Sequence, residues 1–242
     1  MTLSEDRHIL TPPGEQTSRP APASPHPYDI TRIVLRPGAS PMPLGFFTVA
    51  IATCMLSALQ THILAAGDRR AVAYVVLPAF VLQIIVTIRA FSDRDTVAAT
   101  LMASFAATWL IDSLMFLADP AGAAQTLAIF FFTFSAFVIM MAFAARPKKA
   151  LFAVLAVAVP RFLALGFAEA TGSWWVSTLA GVLGFALAAV STYTAWALLL
   201  EDVRGRTVLP IGRQGPARDA IEGDLAAQLA GIEHGAGVRR SL

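Results

Sequence analysis

Charge is scarce in this sequence. Only 14% of its 242 residues are Asp, Glu, Lys or Arg against 56% hydrophobic residues, and the mean hydropathy is +0.65. A soluble domain carries about 25% charged residues, so that class is excluded and an integral membrane protein is expected. Cysteine is scarcer still: Cys54 stands alone, and no intrachain disulfide can staple a small secreted fold. His/Cys ligand spacings, a phosphate-cradling glycine loop and a nucleophile motif are also missing from the sequence. No catalytic or metal site and no cofactor is therefore expected. The pI near 9.0 does not imply nucleic acid, because the basic residues fall between apolar runs instead of forming one aromatic-interleaved patch.

What the sequence does have is long apolar runs. A helix crossing the bilayer core needs about 20 residues, and six runs qualify: Pro43 to Ala66, Ala71 to Phe91, Thr96 to Ala118, Gln125 to Ala145, Ala150 to Ala168 and Trp174 to Leu200. The joints "GDRRA", "SDRDT", "DPAGAA", "RPKK" and "EATGS" are turn-forming or charged, and too short to hold a soluble domain. The expected fold is an all-α integral membrane protein, six transmembrane helices in one bundle. A barrel would show shorter, alternating segments.

Six spans place both tails and the second and fourth joints on one side, which collects Arg32, Arg36, Arg89, Arg94, Arg146, Lys148, Lys149, Arg204, Arg206 and Arg213. The other side has Arg69 and Arg70. Positive residues mark the cytoplasmic face, so both termini are expected in the cytoplasm and the protein in the plasma (inner) membrane. Trp174 and Trp175 at the outer start of the last span, with Trp196 near its inner end, fit interfacial aromatic belts.

The six-span domain is expected over residues 38–213, between two cytoplasmic tails. Residues 1–37, rich in Pro and Ser, cannot bury enough apolar surface to fold and are expected to be disordered. The first 18 residues lack the apolar core of a signal peptide. In residues 214–242, Ile221, Leu225, Leu229 and Ile232 recur at helical spacing, which fits a short amphipathic helix; a solvated tail with chance periodicity is the plainer alternative.

The stretch "SPMPLGFF", from Ser40 to Phe47, opens the first span. Pro41 and Pro43 withhold backbone donors and restrict the residues before them, while Gly45 lets a neighbour approach the backbone closely. One reading is a tightly packed or broken helix start whose free amides favour an anion. The other is a proline in the first helical turn, common anywhere.

Several stretches resemble the acetate uptake transporter family. "SPMPLGF" is similar to that family's "NPAPLGL" signature, and "GRTVLPIG", Gly205 to Gly212, to its closing segment. Between them, "AGVLGFALAAVSTYTA", Ala180 to Ala195, is similar to the small-residue sixth span and ends at the same tyrosine, Tyr193; "SFAATW", Ser104 to Trp109, resembles a degraded "SYGSFW". The resemblance runs from about Ser40 to Gly212 and implies a six-helix protomer with its own solute path, assembled as a homo-hexamer. Such a protein moves acetate and related short carboxylates together with protons. It implies a path lined by Ser40, Pro41, Pro43, Leu44, Gly45, Gln83, Ser191 and Tyr193, with an apolar constriction at Val49, Phe105 and Ala158. Relatives have phenylalanine, tyrosine and leucine at the constriction and asparagine in place of Ser40. A wider path, taking a larger or more apolar carboxylate than acetate, is implied.

Two ionisable residues lie inside spans, where charge is costly and normally paired or functional. Asp112 stands about 24 Å along its span from Thr96 and Arg161 about 18 Å along its own from Lys149. Their similar depth predicts a buried ion pair between spans three and five, with Arg161 also able to meet a carboxylate. The alternative has Arg161 snorkelling to the outer interface. Neither charge has a counterpart in the family pattern.

The remaining features have plain readings. Gln83 reads first as interhelical glue and second as a solute contact, and Gly181, Gly184 and Ala188 as a close-packing stripe that could also line the path. The Phe130 to Phe137 run reads as core or lipid-facing, and His62 as interfacial. The function expected is a proton-linked monocarboxylate transporter or channel in the lipid bilayer, binding no nucleic acid. Its rivals are a passive channel for a neutral solute such as urea or an amide, and a non-transporting sensor or assembly protein.

Overall fold

The structure is a computed structural model in which residues 39–212 are described. The tail expectations for residues 1–37 and 214–242 lie outside the described residues. Within them the helices are α1 (Met42–Gln60), α2 (Arg69–Ser92), α3 (Thr96–Ala118), α4 (Ala123–Ala144), α5 (Lys149–Thr171) and α6 (Trp174–Arg204), with one 3-10 turn at Ala66–Asp68. All six helices are long and apolar enough to cross a membrane, and no strand occurs among the described residues.

Helix ends follow local chemistry more than hydropathy. α1 stops at Gln60, short of the expected Ala66, because His62 takes a left-handed φ of 59° and the Leu64 amide donates to the Ala58 carbonyl at 3.0 Å. The Asp95 carboxylate caps α3 by accepting from the Ala98 amide at 3.1 Å, satisfying a donor the helix cannot use internally. α6 continues four residues past the expected Leu200 and ends on left-handed Gly205, φ 61°, a conformation that favours glycine.

The helices form a ring in chain order. α2 packs between α1 and α3, α5 between α4 and α6, and α6 closes the ring on α1, while the α3–α4 seam is thin. The starts of α1, α3 and α5 and the end of α6 share one end of the ring. The core fills the middle: Phe46, Trp109, Leu155 and Leu187 are among its buried side chains. Phe131 and Phe134 of the aromatic run are buried. Phe132 instead packs edge-on against Phe167, ring centroids 5.0 Å apart, so the run serves both core and periphery. Trp174 and Trp175 stack at 3.9 Å and are exposed, as is Trp196 at the other end.

Gln83 ties three helices together. Its side-chain nitrogen donates to the Gly45 carbonyl of α1 at 3.3 Å, and its oxygen accepts from Trp109 Nε1 of α3 at 3.0 Å. Gly45 makes this approach possible, since a Cβ there would meet the Met102 sulfur at 2.9 Å and Val86 at 3.2 Å. Gln83→Leu strands the buried Trp109 N–H, which costs about 1–3 kcal/mol. Thermal melts in detergent should show Gln83→Leu and Trp109→Phe each lowering Tm, with the double variant less destabilised than their sum. Additive losses would mean that the bridge carries no energy.

Candidate functional site

At the end of the ring where α1 begins, a cavity of about 200 Å³ is lined by residues far apart in sequence, among them Ser40, Met42, Phe46, Lys149, Thr194 and Ile211. The segment after α6 turns back to reach it: Tyr193 donates its hydroxyl to the Pro210 carbonyl at 3.0 Å, Thr207 donates to Glu201 at 3.3 Å, and Ile211 is buried. The Ser40 amide donates to Asp202 at 3.4 Å, fastening the chain before α1 to the end of α6. Lys148 and Asp95, both on the lining, form an ion pair.

α1 starts at Met42 in regular helix, with Pro43 in the first turn. Of the two readings of "SPMPLGFF", the first-turn proline describes the backbone, and close packing at Gly45 describes the glycine. Pro43 and Gly45 are buried and Pro41 half-buried, whereas Leu44 is 39% exposed and does not line the cavity. Tyr193 is 43% exposed, its hydroxyl committed to Pro210, and both polar atoms of Gln83 are committed to Gly45 and Trp109. Ser191 is buried with no partner for its hydroxyl.

Counting about 1.5 Å of rise per residue, Val49, Phe105 and Ala158 lie roughly 11–14 Å above the starts of α1, α3 and α5. All three are buried in one apolar cluster. Phe105 meets Phe134 at 5.5 Å and Phe162 at 5.8 Å, both edge-on, and Trp109 at 5.9 Å. Such geometry fixes the ring in place. The three expected constriction residues thus share the apolar core at similar heights along their helices.

A polar layer follows at roughly 18–24 Å by the same count, made of Ser57 on α1, Asp112 on α3 and Arg161 on α5. Arg161 is 1% exposed and Asp112 8%, so Arg161 does not snorkel. The direct ion pair expected between them is not formed. Ion pairs within 4.0 Å among the described residues join Arg69 to Asp119, Arg89 to Asp93 and Lys148 to Asp95. Nη1 of Arg161 donates instead to Ser57 Oγ at 3.0 Å.

The far end of the ring has its own cavity, about 300 Å³, lined by Arg69, Met115, Asp119, Leu127 and Glu169 among others. Arg69 stands 3.9 Å from Asp119 and 4.8 Å over the Phe116 ring. Sequence reasoning missed Ser57, Asp95, Asp119 and Glu169 as site residues. Ser57 alone left a signal: with Thr53 it forms an i, i+4 polar pair on one face of an apolar span. Among the described residues no group of His, Cys, Asp and Glu is placed to hold a metal ion.

This arrangement has relatives. A solved structure described as that of the bacterial acetate channel SatP superposes with a TM-score of 0.67, covering 73% of this chain and 100% of that one at 24% identity. At that identity the likeness is one of fold. Comparison with curated proteins finds no match. The model of the GPR1/FUN34/yaaH family matches residues 24–211, which takes in the first-span motif, all six helices and all but the last residue of the closing motif. The chain is a multi-pass membrane protein and belongs to the GPR1/FUN34/yaaH family, the acetate transporter family whose motifs its sequence resembles.

Proposed function

We propose that the protein is a plasma-membrane transporter or channel for short monocarboxylates such as acetate, with a proton moving alongside. The observation that carries this reading is the convergence of the two most family-like stretches on one mouth. Ser40 and Met42 of "SPMPLGF" and Ile211 of "GRTVLPIG" line the same cavity although some 170 residues separate them. The described acetate channel of the same fold supports the substrate class.

The proposed path enters at the Ser40–Ile211 cavity, crosses the apolar layer of Val49, Phe105 and Ala158, passes the polar layer and leaves by the Arg69–Glu169 cavity. No dedicated proton relay is required. A carboxylic acid with a pKa of roughly 4 can carry its own proton, and an apolar constriction favours the neutral form. The Ser40 mouth is cytoplasmic in this reading, as are both termini, following the positive residues clustered at that end. Each protomer of a homo-hexamer has its own path.

Uptake of labelled acetate, propionate and lactate into proteoliposomes tests the reading. Acid outside should raise the flux, because it raises the neutral fraction of the acid. Ala158→Leu, checked for intact assembly, should slow lactate and propionate more than acetate, since it narrows the apolar layer. Flux indifferent to the pH gradient, with urea or acetamide passing as well, would favour a neutral-solute channel. No flux of any solute through intact protein would favour a sensor or assembly role. A reporter fused after Leu242 that is active only in the periplasm should stay silent; activity would reverse the orientation.

A further inference from the structure

Arg161 is a cation with most of its hydrogen-bonding capacity unused. A guanidinium offers five N–H donors, and among the described residues one bond is made, from Nη1 to Ser57 Oγ at 3.0 Å. Its Nε is buried with no partner, and Nη2 likewise has none among the described residues. Nε–H and Nη2–H lie along one edge of the guanidinium plane, the fork with which arginine grips a carboxylate through two parallel bonds. Ser57 bonds Nη1 on the other side, so among the described residues no hydrogen bond is made along that edge.

The site is also built around the side chain. At Gly184 of α6 a Cβ would fall 1.7 Å from Arg161 Nη1 and 2.0 Å from Ser57 Oγ, so the absent side chain is what gives the guanidinium its seat. Gly181, one turn earlier, lets α1 close on α6, where a Cβ would meet Thr61 at 2.6 Å and the Ser57 carbonyl at 3.1 Å. Three helices thus position one buried charge. Leaving such a charge without a bonded partner costs several kcal/mol in a low-dielectric interior, and Asp112 does not come within bonding distance. A visiting anion would relieve that cost.

We propose that Arg161 is an internal carboxylate-binding site, in which the free Nε–Nη2 edge holds the solute's carboxylate while its alkyl part lies toward Ala158. The placement rests on helix geometry. Ala158 precedes Arg161 by three residues on α5, the same face and about 4.5 Å nearer the apolar layer. A monocarboxylate therefore meets charge at one end and hydrocarbon at the other, whereas a dicarboxylate would push its second charge into Val49, Phe105 and Ala158. The inference rests on the carboxylate reading above and adds the residue that recognises the anion.

The test is acetate binding to the purified full-length protein, read as the rise in Tm with increasing sodium acetate. Sodium chloride at equal ionic strength, acetamide and succinate are the comparison solutes. The wild type should respond to acetate and to none of the three. Arg161→Gln should weaken the response roughly tenfold or more in midpoint concentration, the loss of a charge-assisted bond. Arg161→Lys, which keeps the charge but not the fork, should also weaken it. An unchanged midpoint in Arg161→Gln overturns the proposal, as does a wild-type response to acetamide equal to that to acetate. Should Arg161→Gln not fold, Ser57→Ala decides: it frees Nη1 from its anchor and should weaken the acetate midpoint, and no change overturns the proposal. Wild-type protein that carries acetate in proteoliposomes yet gives no acetate response would sink this site alone; absence of both would sink the carboxylate reading with it.

Discussion

A polar group buried in a membrane bundle has no water to turn to, so a side chain that cannot bond back to its own helix must find a partner on another or remain a cost. Gln83 shows the constraint met. One amide side chain satisfies the Trp109 N–H, binds the Gly45 carbonyl and thereby sets the distances among α1, α2 and α3. The first-span motif depends on it. Gly45 must lack a side chain for α1 to lie this close to Met102 and Val86, and the same helix begins at the mouth that Ser40 and Met42 line.

Arg161 shows the same constraint left open. It is anchored by Ser57 and seated on Gly184, so its position is fixed even though its hydrogen bonds are incomplete. Fixed position with unmet demand is what a binding site needs, because little conformational entropy remains to be lost when a ligand arrives. The apolar layer beside it has the opposite character, with Phe105 held by Phe134 and Phe162. On the proposed path, a solute crossing from one to the other would exchange an environment that favours its anion for one that favours its neutral acid.

Much of the fold was legible in the sequence because the bilayer imposes a length of about 20 residues on any apolar run that crosses it. The six spans and their joints followed from that. Helix ends were less legible: α1 ends where His62 adopts a left-handed backbone, which hydropathy does not register. The two end motifs could be recognised, but not that they would meet at one cavity, since the turn back after Gly205 is invisible to composition. Asp112 and Arg161 show the limit most clearly. Counting residues gives depth along a helix, and their depths do agree, but it says nothing of how each helix is rotated against its neighbours. Arg161 therefore found Ser57 and Gly184 instead of Asp112. Gln83 was readable as glue, though not its partners.

We propose that a carboxylate is held inside the bundle at Arg161. It is tested most directly by crystallising the full chain with bromoacetate and locating the bromine by anomalous scattering. A bromine peak is expected within the bundle on the Ala158 side of Arg161, with the carboxylate bonded to Nε. A peak confined to the Ser40–Ile211 cavity, with Arg161 bonded only to Ser57, would contradict it.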